Sequence, residues 1–390
     1  MNAMGVQLIS ANHAAALAAA LAGRANRAAR GFCSGVYPIT PSTECMELLC
    51  NQEIERGSVV RVESEHSAMA VCIGAASGGA RTFTTSSSNG IALMAENAVA
   101  AALLRLPVVM VAANRTLGPP WNIWADHGDT LLLRDAGWIQ LYCADNQEVL
   151  DTVLLAFRLA EDRRVLLPVM VCQEAFVLSH TMAQTDVPEQ AAVDRFLPPL
   201  AHPGRLTATP RVLGGIDVPH ATEVHRAQHQ EAMGRVLDVY REAQDEFEGI
   251  FGRRPADPVV AYRTEGAEAL VVSMGTIAST VERAVDAARA RGERLGAVRV
   301  RALRPFPGAA LARLFKGVRR IAVVDRNVSL GFGGVLWGEA RGEAEPGAIV
   351  QSYMIGLGGG DVRPEHVQAI AADLASRRSA GAPVLLEAGT

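Results

Sequence analysis

The sequence predicts an α/β fold built as a larger parallel-sheet unit followed by a smaller one, on three observations. Short apolar runs alternate with helical patterns across residues 1–195, as expected of strands joined by crossover helices. Runs such as Pro107–Ala113 (PVVMVAA) and Val165–Cys172 (VLLPVMVC) are almost uninterruptedly apolar, as strands buried on both faces must be. The same alternation resumes after Pro258, beyond a stretch of different texture. We therefore expect a first unit at 1–195, a connecting segment at 196–257 and a second α/β unit at 258–390.

The first element is a helix at Ala14–Ala29. Its apolar core lacks a basic segment before it and follows Asn12 and His13, which fits an amphipathic helix rather than a secretory leader. Next, Gly35–Ser42 (GVYPITPS) should form a stiff loop between a strand and a helix. Pro38 and Pro41 fix φ, Tyr37 and Thr40 are pushed toward extended backbone, and Gly35 admits a close backbone approach. The loop would present Thr40 and Ser42, although an ordinary capped turn accounts for the same residues.

Arg61–Ala70 (RVESEHSAMA) places Glu63 and Glu65 where a strand gives way to a helix, Glu65–Ser77. A carboxylate there either complements the helix dipole or, in an apolar setting, serves as a general acid or base. A helix at Asn89–Leu104 leads into the strand PVVMVAA, which ends in Asn114-Arg115. An arginine outside the carboxyl end of a parallel strand can pair with a ligand carboxylate, or can be a plain surface residue. Gly118–Gly137 is a long loop whose Asp126, His127 and Asp129 match no metal spacing, so it should shape a pocket or a partner surface. Asp145-Asn146 caps a helix at Asn146–Glu161.

Pro198, Pro199, Pro203 and Pro210 then make an irregular crossing. A charged helix near Ala221–Phe251 should connect units rather than fill a core. In the second unit we expect strands at Ala269–Ser273, Gly296–Val300 and Ile321–Val324, the last ending in Asp325, and a helix at Thr276–Gly292. Gly331–Gly334 and Gly356–Gly360 lack the strand–GxGxxG–helix context of a nucleotide site and read as tight turns.

Composition narrows the function classes. A chain with 49% hydrophobic and 20% charged residues and a net charge of −4 offers no electrostatic basis for binding nucleic acid or an anionic membrane. Only 5% aromatic residues argues against base-stacking platforms. The most apolar late stretch, Ala98–Ala113, is broken by Arg105 and Pro107, so no membrane span is expected. Six cysteines (33, 45, 50, 72, 143 and 172) include no CxxC and no zinc or iron–sulfur spacing. They read as reduced core thiols of a cytoplasmic protein, with any metal centre on another chain.

Taken together these segments resemble the α chain of the 2-oxoacid:ferredoxin oxidoreductases, the pyruvate:ferredoxin oxidoreductase family. The likeness is carried by YPITPS (37–42), VESEH (62–66), TTSSSNG (84–90) and NRTLGPPWNIWADHGDTLLLRDAGWIQ (114–140). NQEVLD (146–151), FVLSH (176–180), SMGTIASTVERAVD (273–286), RALRPFP (301–307) and VVDRN (323–327) extend it in order along the chain.

The resemblance implies that the first unit is a thiamine-diphosphate-binding-type domain of the pyrimidine half and the second a transketolase C-terminal-like domain. This chain has no GDG, so a β chain is expected to supply Mg²⁺ and the diphosphate half. A ferredoxin-like δ chain would carry 4Fe-4S clusters, a γ chain would complete the complex, and a flavin or NAD subunit is an alternative route for electrons. By matched position, Glu65 would hydrogen-bond the aminopyrimidine and favour the tautomer that removes the thiazolium proton. Arg115 would pair with the substrate carboxylate and Thr40 would donate to the same end. The implied reaction is oxidative decarboxylation of a pyruvate-like 2-oxoacid with coenzyme A. The chain departs from the usual pattern at 118–120 (Gly-Pro-Pro) and 173–175 (Gln-Glu-Ala), which would alter the pocket and keeps branched or aromatic substrates (2-oxoisovalerate, phenylglyoxylate) open. A non-catalytic scaffold and a transketolase-like transferase are the competing readings.

Overall fold

The computed structural model describes residues 5–209 and 212–387; Pro210, expected in the crossing segment, lies outside the described residues. Fifteen strands are numbered in chain order among them: β1 Gly5–Ile9, β2 Phe32–Val36, β3 Gly57–Arg61, β4 Arg81–Ser86, β5 Val108–Asn114, β6 Ile139–Tyr142, β7 Val169–Glu174, β8 Ala183–Val187, β9 Val259–Tyr262, β10 Ala269–Ser273, β11 Leu295–Val300, β12 Ala302–Arg304, β13 Arg320–Asp325, β14 Ile349–Met354 and β15 Val384–Leu385. Two sheets dominate, with a small β1–β8 ribbon at the side.

The first sheet runs β3-β2-β4-β5-β7-β6-β12 and is parallel except for its last strand. Its middle strands β4, β5 and β7 are buried at every position, whereas the edge strand β3 is largely open. Burial on both faces accounts for the unbroken aliphatic run of β5. Ala302–Arg304, expected within the second unit, instead adds an antiparallel edge to the first sheet beside β6. The second sheet runs β15-β14-β13-β10-β11-β9, parallel apart from β9. A core between the two sheets joins Met110 and Met170 of the first to Leu270, Val298 and Val323 of the second.

Three helices differ from expectation. The first helix spans Ala11–Ala25, capped by the Ser10 hydroxyl, and is buried on nearly all sides rather than amphipathic. Its alanines let it lie flat against Asn146–Glu161, where side chains larger than methyl would hold the two apart. The run read as one helix at Asn89–Leu104 is two, Ser88–Leu93 and Ala95–Leu103, breaking at Met94. The long charged helix spans Pro219–Phe251 and does fill core: nine of its residues are buried, among them Val236, Val239, Tyr240, Ala243 and Phe247. These recur every three or four residues, and each large apolar side chain buried stabilises by about 1.5–3 kcal/mol. The glycine clusters are turns, with left-handed φ at Gly331, Gly333, Gly356, Gly358 and Gly359.

Candidate active site

In the first sheet β2 connects to β3 on one side, and β4 returns on the other side of β2. Ligands of open parallel sheets bind outside the carboxyl ends of the strands at such a switch point. The loop after β2 carries Thr40, the helix after β3 opens with Glu65, the turn after β4 holds Ser87–Gly90, and Arg115 follows β5. The residues expected to act therefore converge on one edge.

Glu65 is the first residue of its helix; Ser64 is the N-cap, accepting from the Ser67 backbone N–H. Its side chain is only 6% exposed, yet among the described residues it takes part in no hydrogen bond or ion pair. Gly90 lies against it: a Cβ on that residue would sit 2.5 Å from Glu65 Oε1 and 2.6 Å from Ser86 Oγ. Ser86 Oγ is likewise buried without a partner. Buried polar groups are nearly always satisfied, so the orphan Ser86 hydroxyl, beside the unpartnered Glu65 carboxylate and a backbone with no side chain, marks a place for a polar ligand edge. Glu63, the other acidic residue of the motif, points away; it accepts the Ser67 hydroxyl at 2.6 Å, which holds its carboxyl below the usual range. Gly35 serves packing, because a Cβ there would lie 2.2 Å from the Ala68 carbonyl; its close approach is to the chain's own helix rather than to a ligand.

Arg115 is 9% exposed and reaches across to the β2 loop, where Nη1 donates to the Thr40 carbonyl at 2.7 Å. Its Nε donates to the Asn122 carbonyl at 3.3 Å, while Nη2 has no partner among the described residues. Thr40 is exposed and precedes a cis peptide to Pro41. Beneath them Asp129 is fully buried. Its Oδ2 accepts the backbone N–H groups of Ser88 and Arg115, each at 2.9 Å, and its Oδ1 accepts Asn114 Nδ2 at 3.0 Å and the Thr130 N–H at 2.7 Å. Burial pushes its carboxyl up to about 6 against those four hydrogen bonds.

The neighbouring His127 faces the other way. Its Nε2 lies 3.0 Å from Glu174 Oε1, and that carboxylate accepts the Thr276 N–H at 2.9 Å and the Thr276 hydroxyl at 2.5 Å. Arg326 Nε lies 3.5 Å from Glu174 Oε2. Burial alone would raise the Glu174 carboxyl, but Arg326, His127 and Thr276 bring it down to about 2. Asp126, His127 and Asp129 thus form no common site, and no metal-holding group occurs among the described residues. Glu174, Thr276 and Arg326 lie in segments singled out in the sequence (173–175, 273–286 and 323–327), but no role or mutual contact was expected of them. Of residues 173–175, Glu174 turns to the second sheet's helix and loop, while Gln173 Nε2 donates to Asn12, whose Nδ2 donates to the Pro41 carbonyl beside Thr40.

A family model described as pyruvate flavodoxin/ferredoxin oxidoreductase, thiamine diphosphate-binding, matches residues 25–245. The chain belongs to this family. A second model, pyruvate:ferredoxin oxidoreductase core domain II, matches residues 267–367. Among relatives, the pyruvate synthase subunit PorA of Methanocaldococcus jannaschii is 41% identical over 86% of this chain and 87% of its own length. The ketoisovalerate oxidoreductase subunit VorA of Pyrococcus horikoshii is 40% identical over 94% and 93%. The fold matches 2-oxoglutarate:ferredoxin oxidoreductase from Magnetococcus marinus with a TM-score of 0.74 and 21% identity, covering 95% of this chain and 66% of that one. A split-gene transketolase matches with a TM-score of 0.55 and 13% identity, over 94% and 98%. The two sheets therefore have the thiamine-enzyme and transketolase-like fold that the resemblance implied.

The residues present fit an aminopyrimidine, the polar ring of the family's thiamine cofactor: the Glu65 carboxylate without a partner among the described residues, the orphan Ser86 hydroxyl and the Gly90 backbone would line its edge. No helix of the described residues is long and apolar enough to cross a membrane.

Proposed function

We propose that the chain is the α subunit of a thiamine-diphosphate-dependent 2-oxoacid oxidoreductase acting on pyruvate or a close homologue. The observation that carries this is the buried Glu65 carboxylate left without a partner against Gly90. It occurs in a chain 41% identical to a pyruvate synthase subunit over 86% of its length. Residues 1–195 would be the pyrimidine-binding domain, 196–257 the connection and 258–390 the transketolase C-terminal-like domain. A β chain would bring Mg²⁺ and the diphosphate half, with γ and ferredoxin-like δ chains, the latter holding 4Fe-4S clusters, or a flavin/NAD subunit, completing a cytoplasmic complex.

The bound cofactor supplies the electron sink for decarboxylation. Glu65 accepts the hydrogen bond that keeps a proton on the facing ring nitrogen. Arg115 binds the substrate carboxylate through Nη2, the guanidinium nitrogen left free by its bonds to Thr40 and Asn122. The exposed Thr40 hydroxyl donates to the same end of the substrate. In sum, the 2-oxoacid carboxylate leaves as CO₂, the acyl carbon bonds to the coenzyme A sulfur in place of its proton, and two electrons pass to the acceptor.

The test is viologen reduction by the natively purified complex with coenzyme A, over pyruvate, 2-oxoisovalerate, indolepyruvate and phenylglyoxylate. Activity on one of them, with KM raised at least 30-fold by Arg115→Ala, is the expected result. A complex lacking thiamine diphosphate would overturn the reading.

A further inference from the structure

We infer that Asp129 is a positioning residue that locks the Arg115 loop and the Ser87–Gly90 turn into one register. This inference rests on the proposed roles of Glu65 and Arg115 and adds the device that holds them together. One carboxylate oxygen, Oδ2, takes the backbone N–H of both Ser88 and Arg115 at 2.9 Å, although Ser88 opens the helix after β4 and Arg115 lies in the loop after β5. The other oxygen is occupied by Asn114 and Thr130, so the carboxylate cannot rotate without breaking four bonds.

Two further facts point the same way. Ser88 is a non-glycine residue at φ 48°, a conformation that persists only where its surroundings impose it. Its hydroxyl also bonds the Thr116 carbonyl, one residue past Arg115, and Ser87 Oγ donates to the Ala113 carbonyl at 2.7 Å. Two residues on from Ser88, Gly90 lies against Glu65. The placement of the cofactor-facing carboxylate's neighbour and that of the substrate-facing guanidinium are therefore set by one buried side chain. Asp129 touches neither ligand; it acts through the backbone of residues 88 and 115.

Asp129→Asn keeps the shape but turns an amide N–H₂ toward at least one pair of N–H donors. In the purified complex we expect KM for the 2-oxoacid to rise at least tenfold, with kcat lowered less than threefold and thiamine diphosphate content unchanged. In an Arg115→Ala background the same substitution should change KM less than twofold, because the group it positions is gone. An unchanged KM in Asp129→Asn, or a full further tenfold effect in the Arg115→Ala background, overturns the inference while leaving the function intact. An unchanged KM in Arg115→Ala itself overturns the substrate reading first, and this inference with it. Should Asp129→Asn fail to assemble, Asn114→Ser removes one of the four donors. It must then show the same KM-selective pattern at a few-fold scale; a loss confined to kcat overturns the inference.

Discussion

Glu65 and Glu174 stand at the carboxyl edge of the same sheet, and both are nearly inaccessible, at 6% and 1% exposure. Their surroundings are opposite. Glu174 is saturated by His127, Thr276 and Arg326 and ties the first sheet to the second, while Glu65 has no partner among the described residues. A buried carboxylate with its bonds made is a structural joint. One left unmet, beside a glycine and an orphan serine hydroxyl, is the position we propose for a partner from outside the chain.

The comparison breaks most decisively at Glu65. Glu65→Gln should lower turnover about 10³-fold, on the order of 4 kcal/mol of barrier, with no fall in the thermal midpoint. A large loss of stability would show that Glu65, too, is a joint. Glu174→Gln should do the reverse: urea unfolding should show a stability lower by about 3 kcal/mol, since Arg326 loses a buried counter-charge and the Thr276 hydrogen bonds lose a charged acceptor. Turnover per folded complex should change far less.

A pH series sharpens the contrast next. Burial raises the Asp325 carboxyl to about 7 and the Asp129 carboxyl to about 6, so between pH 4.5 and 6 the folded chain binds protons that the unfolded chain has released. Their contribution is greatest below the unfolded pKa and is lost as pH rises through the folded values, by roughly 1.4 kcal/mol per pH unit per group. Glu174, drawn down to about 2, acts oppositely and loses its contribution only as pH falls below about 4.5. Asp325→Asn should flatten the slope between pH 4.5 and 7 in calorimetric melts. The smallest effect belongs to Glu63→Gln, two residues from Glu65 but exposed and bonded only to Ser67. Turnover should stay within twofold and the melting midpoint should not move measurably.

Much of the fold was legible because burial on both faces writes an aliphatic run into the sequence, as at Val108–Asn114, and because a cap such as Asp145 is a local event. The core-filling face of Pro219–Phe251 was also present, as apolar residues spaced every three or four, but a charged majority concealed it. Of the proposed site, Thr40, Glu65 and Arg115 were singled out by the segments around them. That Glu174 meets Thr276 and Arg326 was not foreseen although their segments were named, since they lie 102 and 152 positions from it along the chain. From sequence the loop holding His127 and Asp129 reads only as shaping a pocket or partner surface, and the different partners to which the two side chains turn were not foreseen.

The sequence by itself determined the α/β class, the order of its elements, the family and the three residues expected at the site, because periodicity, caps and motifs are local. Tertiary structure alone decided which buried acids are satisfied. Hydrogen bonds between Asp129 and Ser88, or Glu174 and Thr276, form between segments brought together only when strands pack in the order β2, β4, β5 and β7. The energy of a buried charge depends on that company, which no run of neighbouring residues specifies.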